Sequence, residues 1–334
     1  MKTDIRAWRF QTKQLRTLAL FAAITLAACS STPDKIASTA PITQGQKYAM
    51  ATHSFNVFIG PTRSRDANAE VKPGPLAALA AERGKAGHEN LAVQMIGGST
   101  PMQHWNQGNG DDSKNIAKVA LNKGGVDVFT MSPNARMPEE GIDLFGDLVI
   151  KTNPNARILV QNSWSAWDGT GTTASVGGTG RPTFANEEHN KADVATLDSW
   201  LTSLDAKEGY LARMRAQLEG INKRAGKRIS YIVPSATSVY TLRREIVKGK
   251  VPGIKLQSEI FRDGMGHPNV PLANVVTYTW FAAMYRESPV GLTALVDKND
   301  PNSAAREALL QRIAWNAVVA EPMSGVKGKP VPLY

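Results

Sequence analysis

The chain has 334 residues, 42% of them apolar, and a single cysteine. That length supports one large core or two small ones, and a lone cysteine excludes an intrachain disulfide framework. The formal net charge is +10, but Lys2, Arg6, Arg9, Lys13 and Arg16 against Asp4 supply four of those charges. The other Lys and Arg residues are scattered without interleaved aromatics, which argues against nucleic-acid binding.

In chain order, the basic start is followed by an apolar run over 18–28 that ends Leu26-Ala27-Ala28-Cys29. The run is too short to span a bilayer and has the make-up of an export signal. Leu-Ala-Ala-Cys resembles the bacterial lipoprotein box. The resemblance implies removal of residues 1–28, lipidation of Cys29 and anchoring in the cell envelope. Ser30 stands where inner-membrane retention would favour Asp, so the implied address is the outer membrane. Residues 29–46 are polar and Pro-containing and are expected to form a flexible tether. A single domain is expected over 47–334.

Within it, short apolar runs predict strands over 48–52, 91–96, 126–131, 157–162 and 229–234. Helical patterns fall at about 74–86, 112–123, 138–152, 190–225 and 272–285. The fourth carries Val194, Leu197, Leu201, Leu204, Leu211, Met214, Leu218 and Ile221 at three- and four-residue spacing. Strands separated by helices predict an α/β fold, a three-layer α/β/α sandwich around a mainly parallel five-stranded sheet. In such sheets functional groups gather in the loops just past the strand ends.

After the first strand comes Thr52-His53-Ser54-Phe55-Asn56. Ser54 can present its hydroxyl to the crevice or simply cap a turn, and His53 is a candidate site-lining residue. After the second comes Gly97-Gly98-Ser99-Thr100, either a tight turn or a place where backbone N–H groups approach a ligand. After the third comes Ser132-Pro133-Asn134, whose amide is either a turn residue or a neutral donor. After the fourth, Trp164 and Trp167 are candidate platforms for a sugar ring or supports beneath their own loop. The Gly/Thr/Ser-rich stretch after them, which runs to Gly180, is a candidate lid or rim. Last comes Arg262-Asp263-Gly264-Met265-Gly266-His267-Pro268-Asn269, an acid and a histidine in one glycine-rich turn. Such a turn can supply an imidazole held by a carboxylate. His88, His104 and His189 are expected in polar surroundings without such support. No set of histidines and acids has metal-ligand spacing, so no metal or cofactor is expected.

The serine, glycine, asparagine and acid–histidine blocks, in this order, resemble the SGNH/GDSL hydrolase superfamily over about 47–285. The resemblance implies a flavodoxin-like fold with Ser54 as nucleophile. Gly98 (or Gly97) and Asn134 would be oxyanion donors, with Asp263 and His267 completing the catalytic set. The chain departs from the family pattern in three places. Thr-His-Ser replaces Gly-Asp-Ser, Ser-Pro-Asn replaces Gly-x-Asn-Asp, and Asp-x-x-x-His is one residue longer than usual. Gly264 and Gly266 can take positive φ and absorb the extra residue. The implied activity is that of a cofactor-free serine esterase, with an O-acylated carbohydrate or envelope glycan as the expected substrate. A catalytically degenerate carbohydrate-binding lipoprotein and a lysophospholipase or lipase are the alternatives.

Overall fold

The five apolar runs become β1 (Lys47–Thr52), β2 (Glu89–Met95), β3 (Val128–Met131), β4 (Arg157–Gln161) and β5 (Ser230–Val233). In this computed structural model, which describes residues 39–61, 72–134, 137–169 and 185–334, they pair in parallel in the order β2-β1-β3-β4-β5. The expected signal over 1–28, Cys29 and most of the Gly/Thr/Ser-rich stretch running to Gly180 lie outside the described residues.

Side chains alternate across a strand, so each apolar run feeds two cores. Tyr48, Met50, Val128, Leu159, Tyr231 and Val233 enter one. Ala49, Ala51, Phe129, Met131, Ile158, Val160 and Ile232 enter the other. The helices are α1 (Pro75–Glu82), α2 (Pro101–Trp105), α3 (Ile116–Lys123), α4 (Glu140–Thr152), α5 (Val194–Asp205), α6 (Tyr210–Ala225), α7 (Ser235–Val247), α8 (Val270–Tyr285) and α9 (Ser303–Ala320). Apolar residues of α1, α5, α7, α8 and α9 close the first core, and those of α3, α4 and α6 close the second. The result is the three-layer α/β/α sandwich with flavodoxin-like strand order. Its order reverses between β1 and β3, where ligands bind in open α/β sheets.

Helix α8 is apolar all round because the sheet lies on one side and α9 on the other. Trp280, Phe281 and Tyr285 are all 0% exposed. The helix expected over 190–225 is two helices. Asp193 caps α5 through the Thr196 N–H at 2.8 Å, and a turn closed by Gly209 N–H to Ala206 O at 2.7 Å separates it from α6. The helix expected from 112 begins only at Ile116, where the Asn115 side chain accepts from Lys118 N–H at 3.0 Å.

Helices α2, α7 and α9 had no expected counterpart. Helix α7 is rich in Ser, Thr and β-branched residues of low helix propensity. Its face is held on α8, with Ser238 Oγ 2.8 Å from Thr279 Oγ1. The tether expected over 29–46 does not extend to its last residues. Ile42 N–H donates to Tyr285 O and Gly45 N–H to Ala86 O, both at 2.8 Å, so the chain is docked well before residue 47.

Candidate active site

Three strand-end turns and the loop before α8 meet above the sheet. After β1 the chain turns sharply, as Asn56 and Val57 N–H both donate to His53 O at 3.0 Å. That turn leaves Ser54 half-buried at its apex while His53 points inward, 2% exposed. His53 Nδ1 accepts from Phe55 N–H at 3.2 Å. It is therefore a buried brace beneath Ser54, not a residue lining the site as expected. Asn56, also buried, donates to Ser132 Oγ at 2.7 Å and ties this turn to the end of β3.

A second anchor is Gln161, at the end of β4. Its amide donates to Phe55 O at 3.1 Å and to Ser163 Oγ at 3.0 Å. Its oxygen accepts from Trp280 Nε1 at 2.7 Å and Ser235 Oγ at 3.2 Å. The Ser54 turn is thus bonded to β4, α7 and α8 through one buried side chain.

The acid–histidine loop closes on itself. Phe261 and Pro268 form an antiparallel bridge, and Arg262 N–H donates to His267 O at 2.8 Å. Inside it, Asp263 Oδ1 accepts from Met265 N–H at 3.1 Å and His267 N–H at 3.2 Å. Gly266 sits at φ +93°, a backbone state that side chains disfavour. Of the two glycines expected to absorb the longer spacing, it alone does so through positive φ.

With the extra residue accommodated, His267 Nδ1 lies 2.8 Å from Asp263 Oδ2 and 3.0 Å from Oδ1. His267 Nε2 lies 2.9 Å from Ser54 Oγ. An ionised carboxylate only accepts, so Nδ1 carries the ring proton and Nε2 is free to accept from the serine hydroxyl. Burial alone would raise the Asp263 carboxyl. Hydrogen bonds from the His267 side chain and N–H outweigh burial and hold it below the usual carboxylate range. Phe55 packs edge-on against the imidazole at 5.5 Å.

The turn after β2 is bonded to the segment after β3. Gly98 is at φ +62°, and its carbonyl accepts from Asn134 Nδ2 at 2.7 Å. The two candidate oxyanion donors are thus joined to each other. Beneath them Ser99 Oγ donates to Ile96 O at 2.8 Å and lies 2.7 Å from His104 Nε2. The serine proton is committed to Ile96, so His104 donates from Nε2, and Nδ1 accepts from Gln94 Nε2 at 3.2 Å. His104, 0% exposed, therefore has specific partners rather than the polar surroundings expected of it.

The two tryptophans take different places. Trp164 is 3% exposed; it stacks on Phe55 at 4.6 Å and donates from Nε1 to Gly266 O at 3.0 Å. It supports the loop and cannot serve as a sugar platform. Trp167 is half-buried and borders a cavity of about 260 Å³ with Trp200, His189 and Gly264.

Sequence reasoning missed Trp200, Asp168, His189 and Arg243. Arg243, 1% exposed, donates to both Asp168 oxygens. The neighbouring His189 and Arg243 outweigh burial and keep the Asp168 carboxyl below its ordinary range. No local signal reveals this cluster, because Asp168 and Arg243 lie 75 residues apart.

No protein-family profile and no curated protein matches the chain. Among solved structures, a DUF4886 family protein from Bacteroides uniformis is similar at 15% identity and a TM-score of 0.48, over 83% of this chain and 95% of that one. A putative GDSL-like lipase from Parabacteroides merdae is similar at 10% identity and a TM-score of 0.40, over 73% of this chain and 97% of that one.

Proposed function

We propose that the protein is a serine esterase in which Ser54, His267 and Asp263 carry acyl transfer. The observation that carries this reading is the unbroken contact from Ser54 Oγ to His267 Nε2 at 2.9 Å and from His267 Nδ1 to Asp263 Oδ2 at 2.8 Å. Ser54 Oγ attacks the ester carbonyl carbon as its proton passes to His267 Nε2. The tetrahedral oxyanion is received by the Ser54 and Gly98 N–H groups and by the second amide hydrogen of Asn134, the first being given to Gly98 O. Collapse breaks the ester C–O bond, and His267 returns the proton to the departing alcohol. Water then attacks the acyl-serine with His267 again as base, releasing the acid and restoring Ser54. Asp263 keeps the proton on Nδ1 throughout and stabilises the imidazolium.

The substrate assigned to this site is an O-acylated carbohydrate. Two indoles, Trp167 and Trp200, border the cavity beside Gly264 of the acid–histidine loop. Indole faces stack on the apolar faces of sugar rings. About 260 Å³ falls just below the range of pockets for drug-sized ligands and suits a single ring. The lipoprotein-like Leu26-Ala27-Ala28-Cys29 supports an envelope location, with the lipid on Cys29 as the membrane contact.

A fluorophosphonate probe tests the chemistry. The wild-type protein is expected to label and the Ser54→Ala variant is not. Folded wild-type protein that fails to label overturns the esterase reading and leaves a carbohydrate-binding lipoprotein in its place.

A further inference from the structure

The acid–histidine loop is held from outside at three of its carbonyls. Trp164 Nε1 donates to Gly266 O at 3.0 Å and Trp167 N–H to Met265 O at 3.3 Å. The third is the Asp263 carbonyl, 3.2 Å from His189 Nε2. His189 comes from the short 3-10 stretch Asn186–Lys191, is 2% exposed and lies against the Phe261 ring at 4.0 Å. A carbonyl only accepts, so His189 Nε2 carries a proton.

The other side of the ring meets an ionic cluster. His189 Nδ1 is 3.2 Å from Asp168 Oδ1. Arg243 holds Asp168 at 2.5 and 3.0 Å, donates to His189 O at 2.9 Å and to Gln257 Oε1 at 2.7 Å. Trp167 and Asp168 sit at φ +51° and +53°. Non-glycine residues in that region carry strain and persist where their surroundings over-determine them. This construction converges on one backbone atom, the carbonyl of the residue whose carboxylate meets His267.

We propose that His189 is a positioning residue for the acid–base pair, with Asp168 and Arg243 setting its ring. It pins the Asp263 carbonyl and so fixes where the carboxylate stands relative to His267 Nδ1. This rests on the esterase reading above. Displacement of a catalytic group by about 1 Å can cost roughly a hundredfold in rate, and the cluster removes that freedom.

The test compares His189→Phe, which keeps a ring against Phe261 but has no donor, with His189→Gln, whose amide can donate to the same carbonyl. On p-nitrophenyl acetate, His189→Phe is expected to lower kcat by roughly 10- to 100-fold with KM unchanged, and His189→Gln to recover most of it. Thermal unfolding of both confirms that folded protein is assayed. Wild-type kcat in folded His189→Phe overturns the proposal. Equal losses in the two variants, or a change confined to KM, overturn it as well.

A second readout needs no turnover. In a Ser54→Ala background, the His267 Nδ1–H proton resonance, identified by its loss in Asp263→Asn, is expected to move or broaden with His189→Phe and persist with His189→Gln. An unmoved resonance in the Phe variant overturns the positioning role. Absence of Ser54-dependent probe labelling in the parent protein overturns the esterase reading instead, so the two failures are distinguishable.

Discussion

Asp263 grips His267 at two points: its Oδ1 accepts the backbone N–H at 3.2 Å while Oδ2 stands 2.8 Å from ring Nδ1. The four-residue separation therefore forms a closed turn in which the carboxylate orders the backbone and the imidazole together. Asp263→Asn keeps the shape but presents an amide to the ring, which disfavours the tautomer the proposed reaction needs. The expected loss in kcat is on the order of 10⁴-fold, as for the equivalent change in a serine protease triad, with KM little altered. Steady-state hydrolysis of p-nitrophenyl acetate measures it, and a loss of less than about tenfold removes Asp263 from the mechanism.

Trp164 and Trp200 separate support from recognition. Trp164→Phe keeps the stack on Phe55 but strands the Gly266 carbonyl, a loss of about 1–3 kcal/mol in stability. Its KM for an acetylated sugar is expected to stay at the wild-type value. Trp200→Ala is expected to raise that KM about tenfold, the equivalent of about 1.4 kcal/mol, while leaving p-nitrophenyl acetate hydrolysis unchanged. Equal KM values for the sugar ester in wild type and Trp200→Ala would remove the cavity from substrate binding.

Local signals were sufficient for the sheet. Each strand boundary lies within two residues of its apolar run, because a parallel strand covered on both faces reads as a largely apolar run. The acid and the histidine were legible because they share one glycine-rich turn, and the serine because it stands just past the end of the first strand. What composition could not show is direction. His53 and Trp164 each precede a half-buried serine, Ser54 and Ser165, yet both point inward, since one-residue shifts past a strand end reverse a side chain's face. His104 and His189 read as histidines in polar surroundings without support because their partners are supplied by the fold. Gln94 reaches His104 from β2, and Asp263 reaches His189 from 74 residues away. Helix α7 was masked by its Ser and Thr content, which packing against α8 overrides.

Gln161 is the point where the Ser54 turn depends on the core. Gln161→Leu has similar volume but leaves Trp280 Nε1–H and Phe55 O buried without the partners they now have. Each orphaned group costs about 1–3 kcal/mol. The urea midpoint is expected to fall with an unchanged m-value, and fluorophosphonate labelling to slow, because Phe55 O no longer fixes the turn that presents Ser54. Labelling at the wild-type rate in a destabilised variant would restrict Gln161 to a role in stability.

Two buried histidines, His53 and His104, and the half-buried His88 set the response to acid. Burial pushes His53, His88 and His104 down to about 4. Their contacts agree: His53 Nδ1 accepts from Phe55 N–H, His104 Nδ1 from Gln94, and His88 Nδ1 lies 2.6 Å from the Tyr285 hydroxyl. Unfolded, each would take a proton near 6.5, so between about pH 6.5 and 4 the unfolded chain binds more protons than the folded one. Stability therefore falls as pH drops through that window. Near pH 5 the difference approaches about three protons, each contributing roughly 1.4 kcal/mol per pH unit. The depressed carboxyls of Asp168 and Asp263 act in the same direction at lower pH: their contribution, present above the unfolded value, is lost as pH falls through their folded values. Urea unfolding at pH 7, 6 and 5 measures the slope. His88, which lies outside the site, gives the control: His88→Gln is expected to reduce the slope by about one proton. Equal unfolding free energies at pH 7 and pH 5 would show that these histidines are not held neutral.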